Sequence, residues 1–347
     1  MRYKLFGRTG LRVSELCLGA MTFGESWGTG STRETSGHIF DAFLEAGGNF
    51  VDTANFYTEG ESEEFLGEFM KGRREQIVLS TKYTLNVRPD DPNGGGNQRK
   101  NLLQSVEASL KRLKTDYIDI YWVHIWDGMT PIAEIMRGLD DLVRAGKILY
   151  VGFSDAPAWL VAQANTVADL RGWTPFSGIQ VQYSLIERTV ERELLPMARN
   201  FDMAVTAWSP LGGGILSGKY KSPTDCPKDA RHSASDWGTP YLTDRNFRIC
   251  DMVQKVAREI GKTPSQVSLA WLLSRRNRYQ IIPIIGARKL DQLKDNLGCL
   301  DVKIPDLFMQ KLEDASHVDL GFPHDFLVQA RTPIFGNTYD RIDNHHV

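Results

Sequence analysis

Short apolar runs rich in β-branched residues alternate along the chain with segments whose apolar positions recur at helical spacing. The runs fall at Glu15–Ala20, Asn49–Ala54, Ile77–Lys82, Tyr117–His124, Ile148–Ser154, Gly178–Ser184, Ala204–Pro210 and Gln280–Ala287, eight in all. Between them the spacing predicts helices over Arg33–Ala46, Ser62–Lys71, Lys100–Leu113, Ile132–Ala145, Ala158–Leu170 and Val190–Asn200, followed by a C-terminal group. In Lys100–Leu113, for example, Leu102, Leu103, Val106, Leu110 and Leu113 share one face. Start signals agree: Thr32 before Glu34, Ser62 before Glu63 and Glu64, Thr130-Pro131 and Thr263-Pro264 set cap residues, acids or proline at helix beginnings. Runs such as IVLS and IIPIIG are apolar at consecutive positions, as a strand buried on both faces requires.

Eight such alternations favour a closed (β/α)8 TIM barrel in a single domain, residues 1–347, with an open doubly wound sheet as the competing α/β architecture. The open sheet would be expected to carry GxGxxG between a strand and a helix. None is present, and GGGILSG after the seventh run has serine where the third glycine should fall. KLFGRTGLRV near the N-terminus reads as a short hairpin closing the barrel bottom through a Thr-Gly turn. Three stretches break the period: the loop Arg88–Gln98, the loop Lys221–Thr243, and the tail beyond Val318. In a barrel all three are expected at the C-terminal rim, where sites are built.

Composition narrows the function. With 41% hydrophobic and 24% charged residues the chain has the makeup of an ordinary globular protein. Its formal charge of -2 lacks the basic bias of a nucleic-acid or anionic-membrane binder, so neither partner is expected. Cys17, Cys226, Cys250 and Cys299 are scattered, without a CxxC pair, and read as reduced thiols. The start of the chain lacks a signal-like apolar run and no 18 apolar residues follow one another, so a cytoplasmic protein is expected.

Four polar residues fall at or just beyond the ends of predicted strands: Asp52 in FVDTA, Tyr57 five residues on, Lys82 ending VLSTK, and His124 ending YIDIYWVH. Singly each has a plain structural reading: a loop cap, a rim contact, a solvated strand end, a core histidine. Together at successive strand ends they suit carbonyl reduction, which needs a hydride and a proton. A tyrosine supplies the proton if a nearby ammonium brings its pKa down from ~10. A lysine kept charged in a dry pocket needs a carboxylate such as Asp52. His124 can position the substrate oxygen or share the proton.

From LGAMTFG to GARKLDQLKDN the chain resembles the aldo-keto reductases, in particular the longer-loop type similar to potassium-channel beta subunits. VDTANFY followed by GESEEFLG, then STK, LKRLKTDYIDIYWVH, GFS, IQVQYS, TAWSPLGGGILSGKY and IPIIGARKLDQLKDN occur in that family's order. The resemblance implies a metal-free tetrad of Asp52, Tyr57, Lys82 and His124 and a nicotinamide cofactor, NADPH or NADP+. Ala20, Met21 and Asp52 join the cofactor set; Trp208 is expected against the nicotinamide face, with Ser154 and Gln180 at the carboxamide. Asp155 stands where many members carry Asn or Arg and is left out. Ser209, Pro210, Leu211 and Gly212 are expected to wrap the pyrophosphate, with Lys219 and Arg231 as clamping cations. Gly286, Ala287, Arg288, Gln292 and Asn296 form the adenosine end, Arg288 suiting a 2′-phosphate. Gln292 replaces an arginine of some members, which leaves NADH use open.

Met21, Phe23, Trp27, Phe56, Tyr83 and Trp126 are candidates to line an apolar pocket for a small-molecule carbonyl substrate, an aldehyde or ketone. The competing reading, a nicotinamide-nucleotide-binding regulatory subunit that senses redox state, shares the same fold. A metal-dependent barrel hydrolase would need clustered ligands at strand ends, whereas only His124 ends a strand and His345-His346 lie in the tail. Natural substrate, reaction direction and oligomeric state are not legible in the sequence.

Overall fold

The computed structural model describes residues 1–220, 222, 241–275 and 278–343. Eight parallel strands close into a barrel: β3 (Cys17–Gly19), β4 (Phe50–Asp52), β5 (Val78–Tyr83), β6 (Ile118–Val123), β7 (Ile148–Ser154), β8 (Gly178–Gln182), β9 (Ala204–Trp208) and β10 (Ile281–Gly286), with β10 pairing back on β3. Each lies within or one residue beyond its predicted run. The open sheet is thereby excluded. Ahead of the barrel, β1 (Tyr3–Leu5) and β2 (Arg12–Ser14) form the expected antiparallel hairpin.

Helices α1 (Arg33–Glu45), α2 (Glu61–Phe69), α3 (Arg99–Leu113), α4 (Ile132–Arg144), α5 (Ala158–Arg171) and α6 (Leu194–Asn200) follow β3 to β8, and further helices over Asp244–Glu259, Pro264–Ser274, Leu290–Leu297 and Asp306–Ala315 complete the outer ring. Thr32 caps α1 by accepting from the Thr35 N–H, and Thr263 with Gln266 forms a full capping box at Pro264–Ser274. Two starts differ from expectation. Ser62 does not cap α2; Gly60 does, at φ 99°, and Ser62 instead donates from inside the first turn to the Ala20 carbonyl at 2.7 Å. The predicted helix Val190–Asn200 is broken into a 3-10 turn, Thr189–Glu191, and the short α6, whose Pro196 falls in the first turn, where a missing N–H costs little.

Strand alternation sorts side chains into two shells. Outward-facing residues such as Val51, Leu79, Tyr121, Val151, Ile179 and Val205 meet the helices in the main core. Inward-facing Cys17, Phe50, Val78, Ile120, Trp122, Ala204 and Ile282 fill the lower barrel, and Phe6 from the hairpin plugs it from below, edge-on to Phe50 and Trp122. Gly152 and Gly178 make that filling possible: a Cβ at either would lie within 2.2 and 2.6 Å of the Trp122 and Phe6 rings. The barrel is therefore a packed solid below, and open only at the carboxyl ends of its strands.

Non-glycine residues with left-handed backbone collect at that open end. Thr84, Asp155 and Ser209 directly follow β5, β7 and β9, and Thr58 and Glu59 directly follow Tyr57. Such conformations persist only where the surroundings over-determine them, and they cluster at functional rims. The tail beyond Val318 also reaches this end: Arg192, after β8, donates to the Asp319 carbonyl at 2.6 Å, and His324 lies 2.9 Å from Glu193. Among the described residues no helix is long and apolar enough to cross a membrane, and no group of three or more His, Cys, Asp or Glu side chains could hold a metal. Cys17, Cys250 and Cys299 are buried free thiols; Cys226 lies outside the described residues.

Candidate active site

The inward shell continues upward from Phe50, Val78 and Trp122 to Asp52, Lys82 and His124. The register pairs Asp52 with Ser80 and Lys82 with Trp122, so adjacent strands bring the carboxylate and the ammonium to one level. Lys82 is wholly enclosed. Its ammonium donates to Asp52 Oδ2, to the Thr53 carbonyl at 2.7 Å and to Tyr57 Oη at 3.3 Å. The other Asp52 oxygen accepts from Ser80 Oγ at 2.6 Å and Gln180 Nε2 at 3.2 Å. Every polar atom of the pair thus has a partner, which a buried ion pair requires.

Tyr57 is not on a strand but is held from both sides. The Tyr57 N–H donates to the Ala54 carbonyl, and Thr58 Oγ1 donates to Phe23 O at 2.6 Å while accepting from the Ser62 N–H. The Tyr57 ring stands edge-on to His124, with centroids 5.8 Å apart, and edge-on to Trp27 at 6.3 Å. All four predicted residues therefore meet, with Lys82 at the base and the half-buried Tyr57 and His124 at the opening. The loop leaving β6 is fixed by Asn97, whose N–H donates to Asp127 Oδ2 while its Oδ1 accepts from the Asp127 N–H, both at 2.8 Å.

Electrostatics depart from expectation at one point. Burial pushes the Tyr57 phenol above its ordinary value, and the Lys82 charge only partly offsets this, so the pKa is not brought below ~10. Tyr57 stays protonated at neutral pH. Lys82 loses by burial but gains more from Asp52 and Tyr57, and its pKa is raised. Burial, aided by the Lys82 charge, holds His124 well below its usual value, so the imidazole is neutral. Its Nδ1 and the Asn55 Oδ1 are buried without a hydrogen-bond partner among the described residues.

Several of the predicted cofactor residues lie at the same end of the barrel. Gln180 joins Asp52 as above, Ser154 is buried beside it, and Trp208 is half-buried at the end of β9. Ala20 is buried and its N–H donates to the Asp52 carbonyl at 2.8 Å, while Met21 is partly exposed at the rim. After Trp208 come Ser209 at φ 48°, Pro210, Leu211 and the run Gly212, Gly213 and Gly214, at φ 56°, 65° and 100°. This backbone turns in a way only glycine adopts freely, which leaves its amides open to close approach. The Lys219 ammonium would lie about 3.0 Å from a Cβ at Gly214, so the cation lies along this loop. Arg231 lies outside the described residues.

At the end of β10, Gly286 is exposed with open space where a Cβ would stand, next to the buried Ala287. Gln292 accepts from the Arg288 N–H at 2.9 Å, and Asn296 donates to the Gly286 carbonyl at 3.3 Å, so both brace this turn. Open backbone, two flanking cations and an indole face suit a long dianionic nucleotide laid from β9 to β10.

The pocket-lining set is only partly assembled. Trp27 and Phe56 pack together at 5.9 Å beside Tyr57. Trp126 stands edge-on to Trp159, an exposed residue at the start of α5 that periodicity alone does not single out. Tyr83 and Phe23 depart from expectation. Tyr83 follows Lys82 by one residue and so faces the opposite shell, fully buried, stacked on Tyr121 and donating to the Asn97 carbonyl. Phe23 is fully buried against Phe69 in the core.

Asp155, left out of the cofactor set on sequence grounds, is hydrogen-bonded to two members of it. Its carboxylate accepts from Trp208 Nε1 at 3.0 Å and from Ser154 Oγ at 3.2 Å. The signal in the sequence was its position, one residue past β7 and next to Ser154.

With this geometry in place, comparison with known proteins is informative. Residues 15–317 match the aldo/keto reductase family. An aryl-alcohol dehydrogenase of Pestalotiopsis microspora is 40% identical over 326 residues, 91% of this chain and 82% of that protein. A norsolorinic acid reductase of Aspergillus flavus is 38% identical over 94% of this chain and 84% of its own length. An aryl-alcohol dehydrogenase [NADP(+)] of Phanerodontia chrysosporium is 38% identical over 91% of this chain and 86% of its own.

Proposed function

This chain belongs to the aldo/keto reductase family of nicotinamide-dependent carbonyl oxidoreductases, and from that premise we propose that it interconverts aryl aldehydes or ketones and their alcohols with NADPH, Tyr57 being the proton donor. The observation that carries this reading is the chain of contacts from Asp52 through the enclosed Lys82 to Tyr57 at the opening. When bound, the cofactor supplies the hydride that goes to the carbonyl carbon.

The protein's residues do the rest. Neutral His124 offers an N–H to the carbonyl oxygen. As that oxygen gains negative charge, Tyr57 passes it the phenolic proton, and the tyrosinate left behind lies 3.3 Å from the Lys82 ammonium. A phenol whose pKa is raised holds its proton until the acceptor becomes basic, which suits an acid. In the reverse direction Tyr57, in its ionised form, takes the proton of the alcohol, and the raised pKa makes that form scarce at neutral pH.

Trp27, Phe56, Trp126 and Trp159 at the mouth support a flat aromatic substrate, in agreement with the names of the relatives. Arg288 supports the 2′-phosphate of NADPH, and the Phanerodontia relative is named for NADP(+). Gln292, exposed and neutral, is compatible with secondary use of NADH.

The test follows near-ultraviolet absorbance of NADPH with a panel of aromatic aldehydes and ketones, for the native chain and Tyr57→Phe. The variant should turn over roughly 100-fold slower or worse while binding NADPH unchanged. Equal rates in both would overturn the role of Tyr57, and failure to bind NADPH would overturn the reading as a whole.

A further inference from the structure

We propose that Asp155 sets the relative affinity of the site for oxidised and reduced nicotinamide, its carboxylate favouring NADP+ over NADPH. This rests on the cofactor reading above, in which Ser154, Gln180 and Trp208 face the nicotinamide.

Asp155 is tied to all three. Its N–H donates to the Gln180 carbonyl at 3.2 Å, Oδ1 accepts from the Trp208 indole at 3.0 Å and Oδ2 from Ser154 Oγ at 3.2 Å. The carboxylate is anchored to the indole against which a bound nicotinamide would rest. The residue holds φ 44°, in the left-handed region that aspartate and asparagine enter more readily than most side chains.

Among the described residues this carboxylate has no direct ion pair. From β4 and β5 come Asp52 and Lys82, which neutralise one another. From the β4–α2 connection comes Tyr57, a neutral phenol, and from the end of β6 His124, a neutral imidazole. β8 and β9 contribute only the uncharged Gln180 and Trp208. Lys82 acts on Asp155 at longer range, as the weakest of the influences that hold its proton affinity down.

The oxidised ring is a cation and the reduced ring is neutral, so a carboxylate at this position attracts one and not the other. Hydride transfer from an alcohol carbon would discharge that cation, the hydroxyl proton going to Tyr57 in its ionised form. The site then loses an attraction that the reverse reaction must restore. Although Asp155 is exposed at the rim, partial desolvation by the walls around its carboxyl pushes it up to about 6, against the hydrogen bonds from Trp208 and Ser154.

Calorimetric titration of the native protein with NADP+ and with NADPH, from pH 5 to pH 8, tests this without turnover. Both nucleotides carry the same 2′-phosphate, whose titration near pH ~6 cancels in the ratio of their dissociation constants. The ratio Kd(NADP+)/Kd(NADPH) should fall roughly tenfold across that range, and stay level in Asp155→Asn. Asparagine keeps the acceptor for Trp208 and tolerates the left-handed backbone, so the variant removes the charge and turns the group facing Ser154 into a donor to which the hydroxyl can rotate. A ratio independent of pH in the native protein, or equal ratios in both proteins at pH 8, would overturn the role of Asp155 while leaving the reductase reading intact. Binding of neither nucleotide by either protein would instead sink the cofactor assignment itself.

Discussion

Replacing Asp52 by asparagine isolates the interaction on which the site depends. Lys82 has no exposed surface, and its other oxygen partners, the Thr53 carbonyl and the Tyr57 hydroxyl, are neutral. Removing one partner of a buried pair costs about 3–5 kcal/mol, because the remaining charge is left desolvated. Lysine has an escape, however: it can shed its proton. From a reference pKa of ~10.4, neutralising it at pH 7 costs about 1.4 kcal/mol per pH unit, or roughly 4.6 kcal/mol. The two routes agree, and Asp52→Asn should lose about 3–5 kcal/mol of stability at pH 7.

The pH dependence separates this from a simple packing defect. In the native protein Lys82 has a raised pKa, so its contribution is complete below the unfolded value and is lost only as pH climbs through the higher folded one. Between pH 7 and 9 this group leaves native stability level. In the variant, burial acts without Asp52 and holds the folded pKa below the unfolded one, so the unfolded chain binds more protons and stability rises with pH. The deficit should therefore shrink by up to about 1.4 kcal/mol per unit. Urea denaturation followed by tryptophan fluorescence at pH 7, 8 and 9 measures both quantities. A loss below about 1 kcal/mol at pH 7, or a deficit that does not change with pH, would refute the claim that Asp52 sustains a buried ammonium.

Other perturbations probe separate parts of the molecule. Phe6→Ala empties the barrel plug, and should cost about 3–5 kcal/mol in urea denaturation while NADPH affinity stays within twofold; a loss under about 1 kcal/mol would mean the hairpin is not the floor of the barrel. Arg288→Leu should weaken NADPH binding by roughly 10-fold or more and leave NADH nearly untouched, read from dissociation constants; equal effects on both would remove the 2′-phosphate from its role. Because burial raises the Tyr57 phenol, alcohol oxidation should accelerate with pH through 9 and beyond, while aldehyde reduction stays level from pH 6 to 8. An oxidation rate level across pH 7 to 10, with hydride transfer shown to be rate-limiting, would contradict that assignment.

The hydrophobic period carried the α/β alternation, because eight strands buried on both faces need helices to cover them, and the missing GxGxxG tilted the choice from an open sheet to the barrel. The tetrad was legible for a related reason: Asp52, Lys82 and His124 sit at strand ends, and strand ends are visible in sequence. Side-chain direction was also latent there. Counting in twos from Lys82 would have turned Tyr83 away from the pocket, since adjacent residues of a strand face opposite shells.

What the tertiary structure alone decided is the state of the ionisable groups. The nearby Lys82 ammonium was expected to lower the Tyr57 pKa, yet desolvation by the assembled walls outweighs it. Asp155 was dismissed by comparison of residue types, and became prominent only once β7, β8 and β9 brought Ser154, Gln180 and Trp208 around it. Periodicity is a one-dimensional property and survives in the sequence. Desolvation depends on every atom within several ångströms, most of them contributed by residues far away in the chain, and so it exists only after the barrel has closed.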